Sequence, residues 1–377
     1  MRIVHVANFH GPRSGGLRTT MRELAHEYNR LGVQIEHIVP GLTNATVLVD
    51  GIVTHTIAAP ILPRSGGYRV ITNTPRVLSL LRGIRPDAVE ISDRLTLLRI
   101  ADWARRRDVR SAMFAHERID GVIAAHAPVL PGRRIADLMN WSAVRRVDEI
   151  IATTAFAAAE FHRIGHRPHV VPLGVDTATF SPELRTVSGV AVRDRPLRLG
   201  LASRLSAEKS CELAIEATRV AFRLGVPVHL DVIGDGPLRA SLQSLAAGLP
   251  VTFHGFIHDR AELARRFADL DVVLAPGPIE TFGLAALESL ACGTPVVANR
   301  RSALPGVLRD AGLTAENEPT EWFMKASTLA AGGEMARNRA RRIALEYSWG
   351  STARRVLALH GYSAPTEIAA PDFFEAA

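Results

Sequence analysis

Arg204 and Lys209 lie five residues apart, directly after an apolar run (LRLGLAS) that reads as a strand, so both side chains can converge on a diphosphate. A pair of surface charges is the commoner use of such residues. The chain, however, has 43 arginines and only two lysines, Lys209 and Lys325. Where arginine is the habitual cation, a lysine inside a motif points to a site that wants a compact point charge.

Downstream, Glu280-Thr-Phe-Gly-Leu-Ala-Ala-Leu-Glu288 follows the apolar run DVVLAP and a Gly-Pro turn. With a helix starting near Phe282 and Gly283, Glu280 lies in the loop ahead of the helix and can accept sugar hydroxyls. The free N–H groups around Gly283 and Leu284 then face phosphate or sugar oxygens. Glu288, about two turns on, projects toward a ribose. Gly15 and Gly16 sit between a first strand (IVHVANF) and a first helix, so backbone N–H groups there can meet an anion with no side chain in the way.

Several other chemistries fit less well. A dinucleotide fingerprint needs G-x-G-x-x-G, and the loop reads Gly11-Pro-Arg-Ser-Gly-Gly-Leu-Arg-Thr, with no convincing acidic ribose partner after the second strand. Asp269-Leu-Asp271 imitates a metal-binding D-x-D but leads straight into VVLAP, a buried-looking strand. Nucleic-acid binding calls for aromatic platforms or a recognisable module. Aromatic residues are 6% of the chain and none is interleaved with the arginines.

The positioning elements are legible as alternation. IVHVANF, QIEHIVP, DAVEIS, SAMFAH and EIIATT read as strands separated by helical stretches such as TPRVLSLLRGI and TLLRIADWARRR. Such a pattern implies α/β architecture with a parallel sheet covered by helices on both faces. Prolines and glycines in HVVPLGVDTATFSP interrupt it near residue 180. The alternation then restarts through LRLGLAS, VHLDVIG, VTFHGF, DVVLAP and PVVAN, a second doubly wound domain. From Tyr347 a short amphipathic pattern carries Trp349, Val356 and Leu359, then a polar, Pro- and Ala-rich stretch begins at about Ser363, whose last dozen residues are expected to fray.

Bulk properties agree with a folded enzyme of two domains: 377 residues, 47% hydrophobic and 22% charged. The first residues lack the pattern of a signal peptide, no run is long enough to span a membrane, and Cys211 and Cys292 read as buried free thiols. Of the net charge of +7, all lies in residues 1–178, which hold 23 arginines against 16 acidic residues. That asymmetry attracts anions, whether phospholipid headgroups, nucleic acid or a phosphorylated substrate.

Taken together, Gly15-Gly16, ASRLSAEK, IGDGPLR, ETFGLAALESLACGTPVVA and the VPLGVD linker resemble glycosyltransferase family 4, from Gly15 to beyond Val297. The likeness is greatest to phosphatidylinositol mannoside-forming mannosyltransferases, through VANFHGPRSGGLRTT, VEISDRLTLLR and APGPIETFGLAALESLACGTP. The resemblance implies a GT-B fold of two Rossmann-like domains facing across a cleft. The expected parts are an acceptor domain over 1–178, a nucleotide-sugar domain over 179–346, and a C-terminal helix and tail over 347–377 that returns to the first domain.

It also implies a cytoplasmic, retaining, metal-independent transfer of mannose, with GDP-mannose as donor substrate and no cofactor. Gly15 and Gly16 would approach the donor phosphate, Arg204 and Lys209 would hold the diphosphate, Glu280 the sugar and Glu288 the ribose. His116, in MFAHER at the end of a first-domain strand, would face the donor sugar, and the base would lie on backbone near Phe256 and Ile257. Ser203 and Ser210 stand where the family usually has glycines, which puts the geometry of this loop at issue.

For the acceptor, a phosphatidylinositol mannoside at the inner face of the plasma membrane would use Arg76, Arg82, Arg85 and Arg105-Arg106-Arg107 as an electrostatic dock. A soluble manno-oligosaccharide is the alternative acceptor, and a UDP-glucose type of donor the alternative donor.

Overall fold

The computed structural model describes residues 1–11, 15–62, 67–127, 129–186 and 195–363. The expected fraying of the last dozen residues lies outside them, as do Pro12, Arg13 and Ser14 of the first glycine loop.

Among the described residues, strands β1 (Arg2–Val6), β2 (Gln34–Gly41), β3 (Ala45–Val49), β4 (Ile52–Ala58), β5 (Ala88–Ile91), β6 (Arg110–Ala115), β7 (Glu149–Ala152) and β8 (His169–Val170) form one sheet. Its order is β3-β4-β2-β1-β5-β6-β7-β8, parallel except for β3. A second sheet joins β9 (Leu197–Ala202), β10 (Val228–Ile233), β11 (Val251–Gly255), β12 (Val272–Ala275), β13 (Val296–Asn299) and β14 (Gly312–Ala315), in the order β11-β10-β9-β12-β13-β14. Each sheet reverses its winding direction once, between β1 and β5 and between β9 and β12. In open α/β sheets ligands settle beyond the carboxyl ends of strands at such reversals.

The β3–β4 hairpin was not anticipated. It turns at Asp50-Gly51, both with positive φ (51° and 78°), as a two-residue hairpin loop requires. Asp-Gly between two alternating apolar runs is the signal that marks it.

The helices form where apolar residues recur at helical spacing. In α1 (Gly16–Arg30), Met21, Leu24, Ala25 and Tyr28 are buried; α2 (Thr74–Ile84) buries Val77 and Leu81 while Arg76 and Arg82 stay exposed. Helix α3 (Leu98–Arg105) packs against α2, β5 and β6. Beyond it, α4 (Ile119–His126), α5 (Gly132–Val144) and α6 (Ala155–His162) complete the first domain. In the second domain, α7 (Glu212–Arg223), α8 (Arg239–Leu245), α9 (Arg260–Asp269), α10 (Leu284–Ala291), α11 (Leu304–Leu308), α12 (Pro319–Ala331) and α13 (Gly333–Ala344) surround the sheet.

The chain then crosses back. Helix α14 (Trp349–Leu359) packs on α1 and buries Trp349, Val356 and Leu357, each contributing about 2 kcal/mol of apolar burial. Its start is capped by the Ser348 side chain and lies so near the 172–175 linker that a Cβ on Gly174 would come within 2.1 Å of the Trp349 nitrogen. Glycine in VPLGVD is thus dictated by a close crossing of two backbones.

The crossing is anchored on Glu90 of β5, which has no exposed surface. The Tyr28 hydroxyl donates to it at 2.8 Å, while His360 Nε2 at 3.1 Å and His5 Nδ1 at 3.0 Å complete its partners. Burial disfavours the charge, but the hydrogen bonds from His360 and His5 prevail and hold the carboxyl well below the usual carboxylate range. Removing one partner of a buried charge costs more than the bond itself is worth. His360→Ala is therefore expected to lower unfolding free energy at pH 7 by about 2 kcal/mol, read as an earlier urea midpoint.

Candidate functional site

The loops beyond β1, β6, β9 and β12 converge between the two sheets. A Cβ on Gly16 would lie 3.7 Å from Leu284, and one on Gly121 of α4 would lie 2.8 Å from Ile279, so the N-termini of α1 and α10 face each other across the cleft. Gly15 and Gly16 are exposed, and a Cβ on Gly15 would meet nothing within 4 Å. Neither glycine has a positive φ, so local geometry does not call for glycine at either position, and the open space lies in front of the helix start.

Helix α10 begins at Leu284, with Gly283 before it at φ 84°. A Cβ there would come within 2.4 Å of Leu304 as well as being strained. No side chain caps the helix, so its first N–H groups are available to a ligand. Phe282 offers only backbone to that ligand, because its side chain is buried edge-on against Tyr347.

Arg204 and Lys209 both reach the cleft, but with partners the spacing did not reveal. The Arg204 guanidinium sits 4.4 Å above the ring of Tyr68, a residue of the first domain. Lys209 Nζ lies 2.5 Å from Glu280 Oε2. Enclosure disfavours the ammonium, yet Glu280, with Glu208 and Glu117 near, raises its pKa above the ordinary lysine value. The expected diphosphate-holding cation and the expected sugar-binding carboxylate are thus one ion pair, about a quarter exposed on each side. Ser210, in the usual glycine position, adopts the left-handed conformation glycine would have (φ 47°, ψ 42°). The loop geometry is kept, at the cost of backbone strain of about 1 kcal/mol.

His116 follows β6 and has its backbone carbonyl tied across the cleft by the Thr281 hydroxyl. The Thr154 hydroxyl donates to the Thr281 carbonyl at 2.8 Å while its oxygen caps α6. Burial, with His5 and Arg94 nearby, pushes the His116 imidazole down to about 3, so the ring is neutral. Beneath it, buried Arg94 binds Glu160 (3.2 Å) and donates to the Glu117 carbonyl (2.9 Å), fixing the turn that carries His116. Tyr68, Thr281 and Arg94 were not singled out from the sequence. Arg94 stands directly after a strand end in VEISDRLTLLR, which is the signal that marks it.

Glu288 is buried and takes a 3.2 Å ion pair from Arg260, whose guanidinium also approaches Glu23 of α1 (3.8 Å). Its carboxylate is thus held by Arg260, a partner that the eight-residue spacing does not reveal. Ile257 and Phe256 lie half-buried in the loop after β11, on the same carboxyl edge of the sheet. Asp271 forms a bidentate pair with Arg195 (2.6 and 2.7 Å) at the opposite end of β12, and Asp269 holds Thr186. Among the described residues no three His, Cys, Asp or Glu side chains gather as a metal site. Cys211 and Cys292 are buried and unbridged.

Desolvation, only partly offset by Arg260, pushes Glu288 up to about 7. A carboxyl whose pKa is raised on folding leaves stability whole below the unfolded value and erodes it as pH climbs through the folded one. Glu288→Gln is expected to raise unfolding free energy above pH 7, by up to about 3 kcal/mol. The gain should vanish near pH 4.5, the model value for glutamate, and denaturant titrations across that range check it.

A family model described as "Glycosyl transferase 4-like domain" matches residues 15–174, and one described as "Glycosyl transferases group 1" matches residues 196–331. The chain is 43% identical over 367 residues, 96% of each chain, to the GDP-mannose-dependent alpha-(1-6)-phosphatidylinositol dimannoside mannosyltransferase of Mycobacterium tuberculosis. It is 29% identical over 314 residues, 79% of each, to a GDP-mannose-dependent alpha-mannosyltransferase of Mycolicibacterium smegmatis. Among solved structures, sucrose-phosphate synthase from Thermosynechococcus elongatus matches with a TM-score of 0.76 at 17% identity, over 96% of this chain and 98% of that one. Anabaena HepE in complex with UDP and glucose matches at 0.72 and 18%, over 95% and 98%. These structures share the GT-B fold.

Proposed function

The chain belongs to the group 1 glycosyltransferases with a family 4-like first domain, and from that premise we propose that it is a retaining α-mannosyltransferase moving mannose from GDP-mannose to a phosphatidylinositol mannoside. The observation that carries the donor and acceptor is the end-to-end identity with the mycobacterial phosphatidylinositol dimannoside enzyme. The cleft supports the chemistry.

Cleavage of the anomeric bond puts negative charge on the departing diphosphate and oxocarbenium character on the sugar. Preorganised positive ends lower that barrier without solvent reorganisation. Arg204, Lys209 and the uncapped start of α10 supply them, and the glycines at the start of α1 leave room for phosphate. Glu280, held by Lys209, accepts hydroxyls of the donor sugar, and neutral His116 contacts the same sugar. Glu288 and the backbone at Ile257 serve the ribose and the base.

The acceptor hydroxyl attacks from the face the diphosphate leaves, and the diphosphate takes its proton. That route needs no protein nucleophile, general base or metal. Lys209→Ala and Glu280→Ala are each expected to lower kcat/KM by on the order of 3 kcal/mol, about a hundredfold, with little change in unfolding midpoint. Near-wild-type turnover of GDP-mannose by either variant would remove the role given to that residue.

A lipid acceptor requires the first domain to meet a bilayer. Arg76, Arg82 and Arg85 on and after α2, and the Arg105-Arg106-Arg107 run that ends α3 and follows it, are all exposed. Arg105 donates to the Arg145 carbonyl at the end of α5, which presents Leu138 (66% exposed) and Trp141 (49% exposed) beside Arg145. Basic side chains flanking apolar ones suit the interface of an anionic membrane, and no helix of the described residues is long and apolar enough to cross one. The protein is expected to sediment with vesicles containing phosphatidylinositol at about 0.05 M salt and to be released at about 0.5 M, as screening weakens exposed charges. Failure to sediment, with extension of soluble mannosides, would exclude the lipid acceptor.

A further inference from the structure

Both domains and the linker between them meet at the guanidinium of Arg260. Arg260 opens α9, and its Nη1 donates to Glu288 Oε1 of α10 at 3.2 Å. Its Nη2 lies 3.8 Å from Glu23 Oε1 of α1, in the first domain, where Arg22 also binds. The guanidinium carbon rests 4.8 Å from the centroid of the Phe180 ring, which is fully buried. Asp176, in the same linker, adds a negative charge nearby.

The two oxygens of Glu288 are therefore not equivalent. Oε1 is taken by Arg260. Among the described residues Oε2 has no hydrogen-bond partner, and it is not one of the buried polar atoms left unpaired, so it keeps access to solvent.

We propose that Arg260 is a positioning residue that fixes one oxygen of Glu288 so that the other is presented to the ribose hydroxyls, which makes the site prefer a ribonucleoside diphosphate to its deoxy counterpart. This rests on the reading of Glu288 as the ribose contact.

An ionised carboxylate only accepts, so each ribose hydroxyl donates to it, and such a charge-assisted bond is roughly twice as strong as a neutral one. Burial works against that charge and pushes Glu288 up to about 7; Arg260 is the main group opposing it, with Arg22 helping and Glu23 acting the other way. Without Arg260, burial acts nearly unopposed, so the carboxyl takes up a proton and loses its anchor together. Arg260 itself stays in place because the Phe180 ring supports one face of its planar head while Glu288 and Glu23 draw on its edges.

The test compares binding of GDP and of 2′,3′-dideoxy-GDP to the full-length protein by calorimetry, at about pH 8 so that wild-type Glu288 is mostly ionised. Wild type is expected to prefer GDP by about thirtyfold, as for a hydrogen bond to a charged group. In Arg260→Gln the preference should shrink to about threefold, with dideoxy-GDP bound as by wild type, because only the ribose contact is weakened. Arg260→Lys, which returns the charge without the planar fork, should recover a preference of about tenfold. Glu288→Gln should lose the preference as Arg260→Gln does, and the double variant should lose nothing more, since both changes remove one interaction.

An undiminished preference in Arg260→Gln would overturn the proposal. So would equal weakening of both nucleotides, the mark of a residue that meets the diphosphate or only supports the fold, and so would a further loss in the double variant. Equal binding of the two nucleotides by wild type, or an unchanged preference in Glu288→Gln, would instead sink the ribose reading. Each preference is a ratio within one preparation, so a partly unfolded variant does not alter it.

Discussion

Two sheets can share a site only if their carboxyl edges face each other, and a few polar bonds at Thr281 set that relation. Its hydroxyl donates to the His116 carbonyl, and its own carbonyl accepts from Thr154. The loop that carries Glu280 and leads into α10 is thereby fixed against the end of β6. Each such bond is worth about 1 kcal/mol net, so the contact sets a geometry while leaving the domains able to part. Apolar packing around the 171–180 linker and α14 is continuous with both cores, so any relative motion of the domains turns about that side of the cleft.

Within the cleft, charge is arranged so that neither sign stands alone. Lys209 and Glu280 neutralise one another, Arg260 serves Glu288, and Arg204 rests on Tyr68. Each pairing holds a long side chain in one orientation before substrate arrives. In the proposed reaction a diphosphate entering between Arg204 and Lys209 would add charge to a site where the positive groups are already aimed, which is how electrostatic preorganisation lowers a barrier.

Much of this was legible in the sequence, for identifiable reasons. Apolar runs separated by helical periodicity gave both parallel sheets, because a buried parallel strand has to be apolar on both faces. The glycines of the α1 and α10 loops, the two cations and the carboxylates were visible because backbone exposure and charge are local properties. What escaped was non-local. Nothing in DAVEIS says that Glu90 is buried against His5, 85 residues earlier, and His360, 270 residues later. Nor does the spacing of Lys209 and Glu280, 71 residues apart, announce an ion pair. The helix start at Leu284 agrees with the apolar periodicity, and the left-handed turn at Gly283 sets it just after the glycine.

The return of α14 to the first domain also bears on how the molecule is made. When the segment through Arg185 has left the ribosome, Glu90 has Tyr28 and His5 but must wait for His360 until the whole second domain has emerged. The groove on α1 that receives Trp349 and Val356 stays open for the same interval. Domains ordinarily fold as units, amino-terminal first, during synthesis; here the earlier domain is sealed only by the final turn of a helix that follows the whole second domain in the chain.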